Sequence, residues 1–180
     1  KNQYVGVSET GTTEVPMVEF NLKAKNNGVT VKTLRASHSS WTVNIASTTD
    51  TLKLYEGSTL LGTATPTYNG ATFSDLTIKI AKDATKTLTI KAVLKKLTAT
   101  APINYLAGER VSTTVLATAA EITGEDDNFQ TTTTSGSTVS GNPQHLFIKY
   151  PEFKLVSGSI TPKQTTGSNT TRTDKAEAKI

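Results

Sequence analysis

Apolar and polar side chains alternate most regularly between Thr51 and Lys96. A period of two places the two sets of side chains on opposite faces of a strand, so the stretch predicts half-buried β-strands. Residues 56–58, 68–70 and 82–84 separate the runs and are rich in residue types that turn a chain. We therefore expect an antiparallel meander with one solvated face. Its apolar positions are Leu52, Leu54, Phe73, Leu76, Ile78, Ile80, Leu88, Ile90, Ala92 and Leu94.

An earlier strand is predicted directly after Pro16, because proline cannot donate to a sheet ladder and is typical of strand starts. Residues 1–16 are mostly polar and are expected to form an N-terminal extension that ends in Val15-Pro16. Asn26-Asn27-Gly28 follows the strand and predicts a tight hairpin into a partner strand over residues 29–36. The apolar positions of the first strand are Val18, Phe20, Leu22 and Ala24.

Trp41 is the one tryptophan of the chain, and Val43 and Ile45 continue its alternation. A large aromatic residue on an alternating strand is expected to anchor the core. The functional alternative is a sugar-binding platform that presents Trp41 together with Tyr55 and Tyr68.

The remaining chain up to residue 156 is predicted to elaborate the same sheet structure. Residues 97–108 contain Pro102 without alternation and predict a crossing connection. Residues 110–122 are interpreted as a strand rather than a helix because of their valine and threonine content, and residues 129–134 as a polar strand or ribbon. The predicted fold is all-β, an antiparallel immunoglobulin-like sandwich over residues 17–156 with an elaborated second half.

The segment 157–180 is rich in threonine, serine and glycine and is expected to be extended. Its last residues alternate again: Ala176, Ala178 and Ile180 interleave with Lys175, Glu177 and Lys179. Two interpretations stay open. Either the chain is one repeat of a longer array, or a terminal strand pairs with a sheet edge of a neighbouring copy. The donated segment would be residues 170–180 or residues 1–15, the latter leading into the first strand through Val15.

Composition removes several classes of function. The chain has no cysteine, which excludes disulfides and thiolate metal sites. The net charge of +4 is spread without a basic run beyond Lys95-Lys96, so no nucleic-acid groove is expected. No apolar run approaches the ~20 residues of a membrane helix. Threonine makes up roughly one residue in five, which suits solvated strand faces.

Candidate chemistry is sparse, and we expect no enzyme. His38 and His145 lack the acidic and serine context of a catalytic triad. The acidic turn at residues 125–128 could hold calcium through oxygen ligands. An intramolecular isopeptide bond would need a strand lysine in an apolar pocket. The candidate calcium ligands are Glu125, Asp126, Asp127 and Asn128, and the candidate isopeptide lysines are Lys23, Lys79 and Lys91.

Residues 15 to about 96 resemble the immunoglobulin-like repeats of surface and filament proteins from uncultured bacteria and some archaea. The resemblance rests on VEFNLKAKNNGVTVKTLRAS, TLKLYEGSTLLGT and ATFSDLTIKIAKDATKTLTIKAVL. It implies an exported β-sandwich that polymerises, since subunits of related filaments donate a terminal strand to the next subunit. Residues 97–180 lie outside the resemblance.

These observations predict a structural subunit of an extracellular, pilus-like filament or surface layer, forming a homopolymer by strand donation. The alternative is a carbohydrate-binding or adhesive surface module that recognises a glycan or a cell-surface receptor.

Overall fold

The computed structural model describes residues 3–8, 10–41, 44–68, 70–98 and 108–147. They belong to the first of two units into which the chain divides, Lys1–Lys149. The strands are β1 (Gln3–Gly6), β2 (Thr13–Lys23), β3 (Val29–Ser40), β4 (Thr49–Glu56), β5 (Thr59–Ala64), β6 (Ala71–Phe73), β7 (Ile78–Ile80), β8 (Thr85–Leu94), β9 (Glu109–Val115), β10 (Ile122–Asp126), β11 (Val139–Ser140) and β12 (Gln144–Phe147); a helix, α1, spans Ile45–Thr48.

Two sheets pack face to face, which confirms the predicted all-β sandwich. The small sheet has the strand order β2-β8-β4-β5. The large sheet has the order β1-β12-β9-β3-β10, with β6 and β7 also paired to β3 and β11 paired to β9. All the pairs are antiparallel except β1 with β12.

Strand β3 is the centre of the large sheet. Leu34 pairs with Phe73 of β6 and with Ile122 of β10, so these two neighbours lie on opposite edges of β3. Along one edge of β3, β9 and β10 pair with successive parts of the strand, and along the other edge β6 and β7 do so. The long central strand thus supports two interrupted ones.

The core lies between the sheets and is built by the predicted alternation. Buried positions recur at every second residue of β4 and β8, including Leu52 and Leu54, and Leu88 to Leu94. Burial of each large aliphatic side chain contributes ~1.5–3 kcal/mol. The period-two pattern therefore identifies both the strands and the face that they bury.

The predicted hairpin at Asn26-Asn27-Gly28 is wrong, although a turn is present. Asn26 has a φ of 70°, as the turn signal indicated. However, β2 pairs with β8 whereas β3 belongs to the other sheet, so the turn carries the chain across the sandwich. Both β2 and β3 bury an apolar face. Because the chain crosses, these faces pack against each other between the sheets, whereas a hairpin would place them next to each other in one sheet.

The predicted meander is wrong beyond its first turn. A hairpin joins β4 to β5 through Gly57, which has a φ of 58°. The chain then enters the large sheet for β6 and β7 and returns as β8, between β2 and β4. Alternation determined which residues are buried but not which strand each one pairs with.

The predicted N-terminal extension is also wrong for the residues that the structure describes. Strand β1 runs parallel to β12 in the large sheet, and β2 begins at Thr13 in the small sheet. The reason is burial, since Val5, Val7 and Val15 are each less than a tenth exposed. Residues 1–16 therefore contribute to both sheets.

The strand predicted over residues 110–122 is confirmed for its first part, and a helix occurs at an unexpected place in the first half of the chain. Residues 109–115 form β9, as predicted for a strand rather than a helix. Residues 45–48 form α1, where continued alternation predicted a strand; the Asn44 side chain accepts a hydrogen bond from the Ala46 amide and caps it. Most of the predicted crossing connection and the chain beyond residue 147 lie outside the described residues.

Candidate functional site

The most prominent concavity of the described chain is a groove between the sheets, on the side where β2 forms an edge of the small sheet. Its volume is about 600 Å³. The residues that form its apolar floor come from both sheets and are Phe20, Val31, Ile80, Val115 and Ile122. We call it the β2 groove. Residues 24–27, where the chain crosses between the sheets, also line it.

Three further apolar side chains line the β2 groove and are only partly covered. Leu22 lies near the end of β2, Val29 at the start of β3, and Val139 on β11. The polar part of the lining is rich in threonine, from Thr131 to Thr134. The groove therefore offers apolar contact at its floor and hydroxyl groups on the side of the large sheet.

The edge of the large sheet beside this groove is covered by the chain itself. Residues 130–134 run alongside β10 and bond to it. The Asp126 amide donates to the Gln130 carbonyl at 2.9 Å, and the Thr132 amide donates to the Gly124 carbonyl at 2.9 Å. Thr134 Oγ1 adds a bond to the Ile122 carbonyl at 2.9 Å. The predicted polar ribbon over residues 129–134 is thus present as an irregular edge segment.

The edge of the small sheet is different. Within the described residues, β8 is the only strand that pairs with β2. Gly141 packs against the start of the strand so closely that an added Cβ would lie 1.8 Å from the Met17 carbonyl oxygen. Beyond this contact, no described strand pairs with the outer side of Glu19–Lys23. These five residues form what we call the open edge.

The predicted assembly residues divide between these regions. Val15, Val18 and Phe20 are buried within β2, and Leu22 is half-buried. They form part of the protein's own small sheet and line the groove rather than leaving the sheet as a donated N-terminal strand. Residues 175–180 (Lys175, Ala176, Glu177, Ala178, Lys179 and Ile180) lie outside the described residues.

The carboxylates of the acidic turn accept hydrogen bonds from the protein itself. Asp126 Oδ1 accepts from the amides of Asn128 and Gln130, and its Oδ2 accepts from Asn27 Nδ2. The bond from the Gln130 amide is the main reason that the pKa of Asp126 is lowered. Asp127 Oδ2 accepts from the Gly28 amide at 3.0 Å.

Glu125 completes the turn by pairing with Lys32 at 3.5 Å. No group of three or more metal-ligating side chains occurs in the part of the chain that the structure describes. The turn instead fastens the end of β10 to residues 27–28 and to the covering segment 130–134. The calcium site predicted at residues 125–128 stays a prediction, which the described residues do not support.

An ionic cluster lies on the outer face of the small sheet. Glu14 contacts Lys53 at 2.8 Å and Lys91 at 3.2 Å, and the hydrogen bond from Lys53 is the main cause that lowers the pKa of Glu14. The Lys91 ammonium lies 4.5 Å from the ring centre of Tyr55. Lys23 and Lys79 are exposed, and Lys91 is half-buried. None of the three candidate isopeptide lysines lies in an apolar pocket.

His38 was not predicted to have a structural role, yet it joins the two sheets. Its Nδ1 lies 2.7 Å from Thr113 Oγ1 on β9, and its Nε2 lies 3.0 Å from Thr49 Oγ1 on β4. Burial lowers its pKa from 6.5 to about 4, because the charged ring would lose its hydration. The ring is therefore neutral near pH 7 and bonded on both sides.

Trp41 is 69% exposed, so its prediction as a core anchor is wrong. The inward-facing residues of β3 are Leu34, Ala36 and His38, and continuing this alternation places Trp41 on the outer face. The Arg110 guanidinium stacks on the indole at 4.2 Å. The sequence analysis did not identify Arg110. For Trp41 a signal was available, since the alternation of buried and exposed residues along β3 places it on the outer face.

The three aromatic residues of the predicted sugar platform do not form one site. Tyr55 lies on the outer face of the small sheet, where its hydroxyl is 3.4 Å from Glu14 Oε2. Tyr68 is 85% exposed in the connection between β5 and β6. Only Trp41 belongs to the outer face of the large sheet.

No protein-family model, no curated protein and no solved structure matches the chain. The helix that the described residues contain, α1, has four residues and is too short to cross a membrane. The resemblance to immunoglobulin-like filament repeats therefore stays a prediction.

Proposed function

We propose that this protein is a structural subunit of an extracellular, pilus-like filament or surface layer that assembles head-to-tail. In this assembly residues 175–180 of one copy lie along the open edge of the next copy and fill its β2 groove. The observation that carries the proposal is the coincidence of a strand edge that is unpaired among the described residues, Glu19–Lys23, with an adjoining groove of about 600 Å³ that has an apolar floor.

Both features are satisfied by the same kind of partner. An open edge has backbone amide and carbonyl groups without partners, which an added strand can bond. A groove between two sheets accepts side chains from every second residue of such a strand. Ala176, Ala178 and Ile180 have this spacing, and the open edge is five residues long, close to the six residues of the donated segment.

The sizes and charges of the segment fit its proposed place. Two alanines and one isoleucine suit a groove whose lining already includes the half-buried Leu22. The burial of Ile180 would contribute ~1.5–3 kcal/mol, and the alanines less. On the opposite face Lys175, Glu177 and Lys179 would lie beside the exposed Glu19 and Lys23 of β2, which offer charges of both signs.

Ile180→Asp tests the proposal on its apolar side. Placing a carboxylate in the β2 groove removes the largest buried side chain and adds a desolvation cost, so the concentration needed for assembly should rise roughly a hundredfold or more. Light scattering and negative-stain electron microscopy of purified protein would measure this.

Thr173→Asp is the matched control, since it makes the same change of charge at a position that alternation places on the outer face. Assembly should persist in the control and be lost in Ile180→Asp. Equal assembly by both variants and by a protein lacking residues 170–180 would overturn the proposal.

A carbohydrate-binding module is the second candidate function. The exposure of Trp41 and its stacking with Arg110 favour it, because an exposed indole provides a flat apolar surface for a sugar ring.

A further inference from the structure

Four adjacent strands of the large sheet each contribute one side chain to a row on its outer face. Tyr4 of β1 pairs with His145 of β12, and His145 pairs with Arg110 of β9. The Trp41 amide, directly after β3, donates to the Arg110 carbonyl at 3.1 Å. Three strand spacings separate the ends of the row, roughly 14 Å. We call these four residues the aromatic row.

The two ends of the aromatic row, Tyr4 and Trp41, are exposed to solvent. Tyr4 is 72% exposed and lies 5.6 Å from the His145 ring and 5.5 Å from the Phe147 ring. At the other end Trp41 is 69% exposed under the Arg110 guanidinium. The row is therefore a platform with an exposed aromatic ring at each end, Tyr4 and Trp41, and the Arg110 guanidinium between them.

A buried carboxylate fixes the Trp41 end of the row. Glu109 is 2% exposed, and its Oε1 accepts from the Trp41 amide at 2.8 Å and from the Arg110 amide at 3.2 Å. Hydrogen bonds to a charged acceptor are stronger than those between neutral groups. The backbone that carries the indole and the guanidinium is therefore held in place before any ligand arrives.

The surrounding surface is rich in hydroxyl groups and has little competing charge. Ser39 and Ser112 are bonded at 3.1 Å, and so are Thr114 and Ser140. Arg35 on the same face is paired with Glu121 at 2.9 Å. The outward-facing described residues of β3, β9, β11 and β12 include no carboxylate.

Arg110 is therefore the cation that this platform presents. Within the described part of the chain no carboxylate pairs with its side chain, and a stacked guanidinium keeps in-plane donors for a ligand. Its fork of donors matches the geometry of a carboxylate.

We propose that the aromatic row binds an oligosaccharide that carries carboxylate groups, such as a chain of uronic acids. The inference rests on the second candidate function, carbohydrate binding, and does not depend on assembly. Sugar rings would stack on Trp41 and Tyr4, and Arg110 would bind a carboxylate between them. The length of the row suits an oligosaccharide rather than a single sugar.

The charges favour this ligand over nucleic acid. Single-stranded nucleic acid needs a positive groove that follows its phosphates, whereas the row presents one arginine. A protein partner would bury a larger surface with an apolar centre, whereas hydroxyl pairs adjoin the row here.

Trp41 makes the experiment direct because it is the one tryptophan of the chain. The full chain would be titrated with tetragalacturonic acid and, as the neutral comparison, with cellotetraose, following the tryptophan fluorescence. We expect a saturable change with the acidic tetramer and binding at least tenfold weaker with the neutral one. Equal responses to both would overturn the acidic ligand class while leaving carbohydrate binding in place.

Two variants assign the effect to the row. Arg110→Gln should weaken the binding of the acidic tetramer about tenfold to a hundredfold, the loss of a hydrogen-bonded charge, while hardly changing that of cellotetraose. Arg35→Gln is the matched control on the same face and should bind like the unchanged protein.

An unchanged affinity in Arg110→Gln would overturn the proposal. So would the absence of any fluorescence response to either sugar, which would also remove the second candidate function. A response to single-stranded DNA in place of the acidic tetramer would overturn it as well.

Discussion

The two sheet edges that border the β2 groove differ in whether the chain covers them. The edge of the large sheet at β10 is covered by residues 130–134 and fastened by the acidic turn. The edge of the small sheet at Glu19–Lys23 has no partner strand among the described residues. An unprotected edge favours aggregation, and proteins usually cover or interrupt it. The strand donation proposed above would cover the second edge as residues 130–134 cover the first.

The contact of Gly141 with β2 decides how far the open edge extends. In Gly141→Ala the new Cβ would lie 1.8 Å from the Met17 carbonyl oxygen, which forces the chains apart. We expect a loss of about 3 kcal/mol in the free energy of unfolding, at the upper end for overpacking. Urea denaturation would measure it.

Gly11→Ala is the control for that substitution, because its Cβ would meet no atom within 4 Å. Its stability should be unchanged or slightly raised. Similar stabilities of the two variants would show that the start of β2 is as free as the open edge, and the contrast within β2 would be lost.

His38 tests how firmly the sheets are joined away from the groove. Since its folded-state pKa is about 4, below 6.5, the unfolded chain takes up the proton first as the pH falls. The stabilisation is complete above about pH 6.5 and is lost between pH 6.5 and 4, by roughly 3 kcal/mol in total.

Carboxylates also titrate over part of that range, so the measurement is the difference from His38→Gln. Thermal unfolding from pH 7 to 4 should show a steeper loss of stability in the unchanged protein. Parallel pH profiles of the two proteins would contradict the buried, neutral state of His38.

The smallest effect is expected from a substitution in the acidic turn, which fastens the covered edge of the large sheet. Asp126→Ala removes the acceptor of the Asn128 and Gln130 amides and should loosen residues 130–134 without unfolding the sandwich. Hydrogen exchange at the Thr132 amide should accelerate, while exchange in β8 stays slow. Unchanged exchange at Thr132 would mean that the acidic turn does not fasten the cover.

The sequence allowed the strands to be predicted better than their partners. Leu52 and Leu54, or Leu88 and Ile90, show by alternation which face is buried. The same pattern is satisfied whether β2 pairs with β3 or packs over it, so the crossing at Asn26-Asn27-Gly28 was mistaken for a hairpin. Alternation constrains the face of each strand, whereas pairing depends on the whole chain.

The candidate sites illustrate the same limit. Trp41 was predictable as exposed from the parity of Leu34 and Ala36, but its size suggested the core instead. The β2 groove and the aromatic row were not predictable, because each combines side chains that are more than 100 residues apart in sequence, such as Phe20 with Val139 or Tyr4 with His145.

A disulfide trap tests the central claim most directly, since the chain has no cysteine of its own. Leu22→Cys and Ala178→Cys would be combined in one protein and oxidised, and the products separated on a denaturing gel. The account predicts a ladder of disulfide-linked oligomers, with far less ladder when Asn21→Cys, facing outward on the same strand, replaces Leu22→Cys. Cross-links confined to monomers, or no difference between the two cysteine positions, would contradict strand donation between copies.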